Sequence, residues 1–124
     1  FNIKAMNVLL LEDNADLGNI TMMILDMAGI KGIPTHILNL NDNIKQYKPE
    51  LIITDYRLEY NITGDEICEL IKTNSDTSHV PIILMAYNPD LENVTLKCKP
   101  DACITKPFDL EQFNKVLSQV LVHD

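Results

Sequence analysis

Three acidic side chains stand directly after apolar runs in this chain. Glu12 and Asp13 follow Val8 to Leu11, and Asp55 follows Leu51-Ile52-Ile53-Thr54. If those runs are neighbouring parallel strands, the three carboxylates converge at one sheet edge. Carboxylates held that close disfavour one another's ionisation unless a cation or a proton relieves them. The group therefore reads as a site for a hard divalent ion such as Mg²⁺, which takes one or two carboxylates together with waters and phosphate oxygens. The remaining carboxylate is then available as a nucleophile toward a phosphoryl group. Lys106-Pro107, after a third short apolar segment, supplies a cation to the same pocket. Taken singly, each signal has a plainer reading: Glu12-Asp13 also suits the start of a helix, where acidic residues are favoured.

The elements that must position these residues alternate along the chain. Strand-like runs are expected at Asn7 to Leu11, Gly32 to Ile37, Leu51 to Thr54, Ile82 to Met85 and Ala102 to Thr105. The second tolerates Pro34 only on a sheet edge, and the third lacks polar alternation, as a strand covered on both faces should. Between them fall helical segments. Asn14 caps the first, with a stripe of Leu17, Ile20, Ile24 and Met27, and Gly29 is placed to end it. Asn39 or Asn41 starts a short one ending before Pro49. Thr63 and Glu66 form a capping box ahead of Ile67, Leu70 and Ile71. Pro89 to Lys99 gives an indistinct helix with no clean stripe. Asp109 and Gln112 form a second capping box ahead of Phe113, Val116, Leu117, Val120 and Leu121. Strands alternating with helices predict an α/β, doubly wound, five-stranded parallel sheet with helices on both faces. In such sheets ligands sit beyond the carboxyl ends of the strands, where Glu12, Asp13, Asp55 and Lys106 all lie.

Composition narrows the function further. At 124 residues, 46% of them hydrophobic, residues 1–124 read as one domain with a substantial core. A formal charge of −8 with ten Lys and Arg argues against direct nucleic-acid binding and suits a protein partner. No apolar stretch approaches the ~20 residues of a membrane span, and no signal peptide is evident, so a cytoplasmic location is expected. Cys68, Cys98 and Cys103 are odd in number and lack a CxxC pair, which predicts buried, reduced thiols rather than a disulfide framework or zinc site. Phe1 in place of Met suggests a processed or excised fragment.

In this order the residues resemble the receiver domain of two-component response regulators over nearly the whole chain. The resemblance rests on Leu11-Glu12-Asp13-Asn14, Ile53-Thr54-Asp55-Tyr56-Arg57-Leu58, Gly64 and Thr105-Lys106-Pro107-Phe108. It implies a flavodoxin-like, chemotaxis-regulator-like sheet of order 2-1-3-4-5. It also implies that Asp55 accepts a phosphoryl group from a histidine kinase or histidine phosphotransfer domain. Glu12, Asp13, Asp55 and the backbone carbonyl of Arg57 would hold Mg²⁺, and Lys106 would pair with Asp55 or its phosphoryl oxygens. A cis bond before Pro107 would aim the lysine inward. Charge neutralisation and positioning are what phosphoryl transfer chiefly requires, and a metal plus a lysine provide both. A downstream output domain or protein is expected as a further partner, and homodimerisation is left open. No enzymatic activity is expected beyond the domain's own Mg-dependent phosphorylation and dephosphorylation.

Two departures from the family pattern fall on the output side. Ala86 stands where the family usually carries a Thr or Ser hydroxyl that contacts the phosphoryl group, with Tyr87 beside it expected on the opposite face of the strand. Cys103 stands where the family often has an aromatic ring that rotates inward, and Lys99-Pro100 replaces a usual Gly-Ala. Asn88 and the Arg57 side chain are expected to shape water access. The alternative reading is a pseudo-receiver acting as a phosphorylation-independent interaction module. A phosphohydrolase with an Asp nucleophile is disfavoured, because Arg57 occupies the place of its usual second Asp. A flavin or dinucleotide carrier is disfavoured by the acidic turn at residues 12–16, where phosphate binding needs Gly-rich backbone.

Overall fold

A computed structural model describes residues 6–87 and 97–121. Five parallel strands, β1 (Asn7–Leu11), β2 (Lys31–Pro34), β3 (Leu51–Asp55), β4 (Ile82–Tyr87) and β5 (Ala102–Lys106), form one sheet in the order β2-β1-β3-β4-β5. The helices are α1 (Ala15–Met27), α2 (Leu40–Tyr47), α3 (Gly64–Thr73) and α4 (Leu110–Leu121). The segment expected as a helix at Pro89 to Lys99 lies mostly outside the described residues, and Asn88 lies outside them altogether.

The two faces of the sheet follow from the alternation of side chains along a strand. Val8 and Leu10 of β1, Leu51 and Ile53 of β3, and Ile83 and Met85 of β4 pack with Ile24 and Leu25 of α1 and with Phe113, Leu117 and Leu121 of α4. Leu9, Leu11, Ile52 and Ile82 point the other way, onto Leu40 of α2 and Ile67, Cys68 and Ile71 of α3. Every residue of β3 is buried, as a central strand covered on both sides must be. Pro34 sits in β2, the edge strand, where its missing N–H is tolerated.

Local signals set the helix starts. Asn14 accepts the Leu17 N–H at 3.0 Å, Thr63 and Glu66 make the reciprocal capping box, and Asp109 and Gln112 make a second pair of the same kind. Ala28 caps the end of α1, followed by Gly29 at φ 77°, a left-handed conformation that costs glycine little.

Two helix faces differ from expectation. In α1 the buried residues are Thr21, Ile24 and Leu25, while Ile20 and Met27 are 51% and 66% exposed. Apolar residues surround this helix, so spacing alone did not single out one stripe. Thr21 is accommodated inside because its hydroxyl donates to the Leu17 carbonyl at 2.9 Å. In α3 the place expected of Leu70 is taken by Cys68, and Leu70 is exposed.

Gly64 shows how tightly α3 abuts the sheet. A Cβ there would come within 2.5 Å of both the Asp55 carbonyl oxygen and Leu84 Cδ1, closer than real Cβ contacts allow. Glycine is thus what lets the helix start directly beside the end of β3.

Candidate functional site

The side-chain alternation that builds the core also sorts the functional residues. Asp55 closes β3 on the side of Leu51 and Ile53, and Lys106 closes β5 on the side of Ile104. Glu12, just past β1, continues the side of Val8 and Leu10. All three therefore meet on the α1/α4 side, at the carboxyl end of the sheet. Lys106 Nζ lies 2.8 Å from Asp55 Oδ1 and 3.3 Å from Glu12 Oε1. The Lys106 and Glu12 side chains are 4% and 2% exposed. The Tyr56 N–H also donates to Asp55 Oδ1, at 2.9 Å, so this oxygen is held from two directions.

Two acids share one lysine in this enclosure. The Glu12 carboxyl is pushed up from 4.5 to about 7, first by burial and then by the hydrogen bond and negative charge of Asp55. Lys106 and the Asn14 N–H pull it back only partly. Burial alone would lower Lys106, but hydrogen bonds and charge from Asp55 and Glu12 outweigh it and raise its pKa, so the ammonium is retained. A proton on Glu12 therefore relieves the surplus negative charge.

Asp13 goes elsewhere. It continues the side of Leu9 and Leu11, is exposed, and accepts the Glu59 N–H at 2.6 Å. Among the described residues, the group whose possible ligand atoms all lie within 4.8 Å of one another is Asp13, His36 and Glu59. Glu12 and Asp55 thus share Lys106, while Asp13, at the same strand end, contacts the loop that carries Glu59. His36 Nε2 is 2.9 Å from Glu59 Oε2, and its ring meets Tyr60 edge-on at 6.2 Å. Tyr60 and Asn61 adopt left-handed conformations at φ 60° and 57°. Sequence reasoning missed this His36–Glu59 bridge, since 23 residues separate the two and no local pattern joins them.

On the output side, Ala86 is fully buried against Tyr56 and Leu84. It stands at the position expected for the family's hydroxyl and, as an alanine, brings none. Tyr87 takes the face of β4 opposite to Ala86, but that face bears Lys106, its partner in register, so Tyr87 lies at the pocket and not away from it. Its ring lies under the ammonium, 4.7 Å from Nζ to the centroid, so the lysine is held between two carboxylates and an aromatic face. Cys103 is exposed on β5 rather than buried. The Lys106–Pro107 peptide bond is cis. Arg57 is exposed and pairs with Thr63 in an isolated antiparallel bridge.

The donor set suits a hard divalent cation. Glu12 and Asp55 share Lys106, and burial together with Asp55 raises the Glu12 carboxyl to about 7, so a cation entering the pocket competes with a proton there. All the expected ligands, Asp13 and the Arg57 carbonyl included, are oxygens.

A further arrangement lies on α3. The Asp65 carboxylate, 7% exposed, accepts the N–H groups of Lys97 and Cys98 at 2.8 and 2.9 Å. Cys68 and Cys98 are joined as a disulfide, with Cα atoms 6.0 Å apart. This corrects the expectation of reduced, unpaired thiols. Count and spacing could not reveal a bridge between residues 30 apart that the fold alone brings together.

Residues 8–118 match the family model of the response regulator receiver domain. Among curated proteins, the chain is 32% identical over 79 residues to histidine kinase P4 of Formosa agariphila, covering 62% of this chain and 6% of that protein. It is 26% identical over 125 residues to the regulatory protein AtoC of Escherichia coli, covering 96% of this chain and 26% of that protein. The chain thus spans about a quarter or less of the length of these relatives. Among solved structures it is similar to the receiver domain of a sensor histidine kinase from Pseudomonas aeruginosa, determined with a magnesium ion coordinated in the active-site cleft. There the TM-score is 0.82 at 19% identity, with 94% of this chain and 97% of that one covered. The parallel sheet in the order β2-β1-β3-β4-β5 and the family match over most of the chain agree: this chain belongs to the response regulator receiver domain family of two-component signalling.

Proposed function

We propose that Asp55 accepts a phosphoryl group from a histidine kinase or histidine phosphotransfer partner, with Mg²⁺ held by Glu12, Asp13, Asp55 and the Arg57 carbonyl. The observation that carries this reading is the 2.8 Å contact between Lys106 Nζ and Asp55 Oδ1 in a pocket shared with Glu12. An Asp55 oxygen attacks phosphorus, the nitrogen–phosphorus bond of the donor breaks, and the imidazole leaves with its electron pair and takes up a proton. Lys106 offsets charge on the transferred oxygens, and the Tyr56 N–H orients the attacking carboxylate. The metal, when bound, supplies the remaining charge neutralisation. The magnesium in the Pseudomonas receiver's cleft supports this assignment.

The domain is then a signalling module acting on itself, cytoplasmic, with a kinase upstream and a protein or domain downstream. An acidic surface disfavours nucleic acid as a direct partner. The output switch is atypical: Ala86 lacks the hydroxyl, Cys103 lacks the ring, and Tyr87 is the β4 side chain that touches Lys106. Phosphorylation is therefore coupled to output through Tyr87 rather than through a Ser or Thr hydroxyl at position 86.

Exposure to Mg²⁺ and a small acyl phosphate donor is expected to add one phosphoryl group, and chelation or Asp55→Asn to prevent it. The burial of Ala86 favours one second reading, a pseudo-receiver that docks its partner without modification. Under that reading the wild type stays unmodified, and Asp55→Asn leaves partner binding unchanged.

A further inference from the structure

Cys68 lies on α3 inside the α2/α3 layer, 1% exposed, and Cys98 is half-buried at the approach to β5. Asp65 and Cys68 are three residues apart on one helix and share a face. Asp65 grips the backbone N–H of Lys97 and Cys98, while Cys68 meets the Cys98 sulfur. The carboxylate is therefore an anchor for the segment separate from the sulfurs.

We propose that Cys68 and Cys98 are a reversible dithiol–disulfide site, exchanging with small thiol–disulfide couples of the glutathione class. The site is independent of the phosphoacceptor reading. For oxidation, the more accessible Cys98 thiolate attacks a sulfur of the small disulfide and releases one thiol. Cys68 then attacks the Cys98 sulfur of the mixed disulfide and expels the second. Two electrons pass to the reagent, and the two thiol protons go to the released thiols. Reduction reverses both steps, with the incoming thiolate attacking Cys98 rather than the enclosed Cys68. Cys103, free and exposed on β5, has no second protein thiol to resolve it and can carry at most a mixed disulfide, which adds the mass of the reagent and is told apart from the internal bridge.

The test is to equilibrate the folded chain in glutathione buffers of graded ratio, quench with acid, alkylate under denaturing conditions and measure mass. Of the three cysteines, all are expected to alkylate at the reducing end; at the oxidising end a peptide linking Cys68 to Cys98 is expected, with Cys103 alkylated or carrying one glutathione. Cys98→Ser and Cys68→Ala are each expected to abolish the internal link, with Cys98 left as a mixed disulfide in Cys68→Ala, two variants guarding against misfolding of either. Asp65→Ala is expected to move the midpoint toward more oxidising buffer while leaving the transition present. Three alkylated thiols at every ratio would overturn the proposal. So would a linking peptide containing Cys103, or a bond that excess dithiol leaves intact in the folded protein.

Discussion

Glu12 is the residue whose protonation reports most on the site. Its carboxyl binds a proton more tightly in the folded chain, at about 7, than at the ordinary 4.5. In metal-free protein its contribution to stability is therefore complete below about 4.5 and is lost as pH rises through about 7. Urea denaturation from pH 5 to 8 is expected to show stability falling across this window, and Glu12→Gln to flatten the fall. A divalent cation competes with the same proton. Titration calorimetry should accordingly show weaker Mg²⁺ binding at pH 6 than at pH 8, with proton release at the lower pH. Tyr87 acts on the lysine instead. Removing its ring in Tyr87→Ala takes away a half-exposed cation–π contact worth about 0.5–1 kcal/mol, a loss that denaturant midpoints can resolve.

At the scale of elements, α3 does most to position the site. Its first residue touches the Asp55 carbonyl, its cap is made by Thr63, and its second residue anchors the approach to β5. Gly64→Ala must push the helix off β3 and is expected to cost about 1–3 kcal/mol. Thr63→Ala, losing only the cap, is expected to cost about 1 kcal/mol; thermal unfolding of the two variants separates the effects. The strands and caps were legible in the sequence because their signals are local: an unbroken apolar run for β3, and Thr63 with Glu66 three residues apart for α3. The buried faces of α1 and α3 were less so, because Ile20 and Met27 compete with Thr21 and Leu25 in one helix and Leu70 competes with Cys68 in the other. Only the docked sheet decides between them.

Across the molecule, one alternation places both the core and the chemistry. The rule that sends Val8, Ile53 and Ile104 into the α1/α4 layer also sends Glu12, Asp55 and Lys106 to one pocket beyond the strand ends. That convergence was readable from strand ends alone, whereas the departure of Asp13 toward Glu59 and His36, and the Cys68–Cys98 link, depend on loops and on residues distant in sequence. Truncating the shared centre should therefore damage both, and Ile53→Ala, fully buried beneath the site, is expected to cost about 2–5 kcal/mol in a denaturation experiment. Among the described residues no helix is long and apolar enough to cross a membrane. Phosphoryl acceptance by Asp55 is tested most directly by treating the chain with Mg²⁺ and a small phosphodonor, reducing the acyl phosphate with borohydride, and locating the product by tandem mass spectrometry. Homoserine is expected at position 55, dependent on Mg²⁺ and diminished in Lys106→Ala. An unmodified Asp55, or modification at Asp13 or Glu12 in its place, would contradict it.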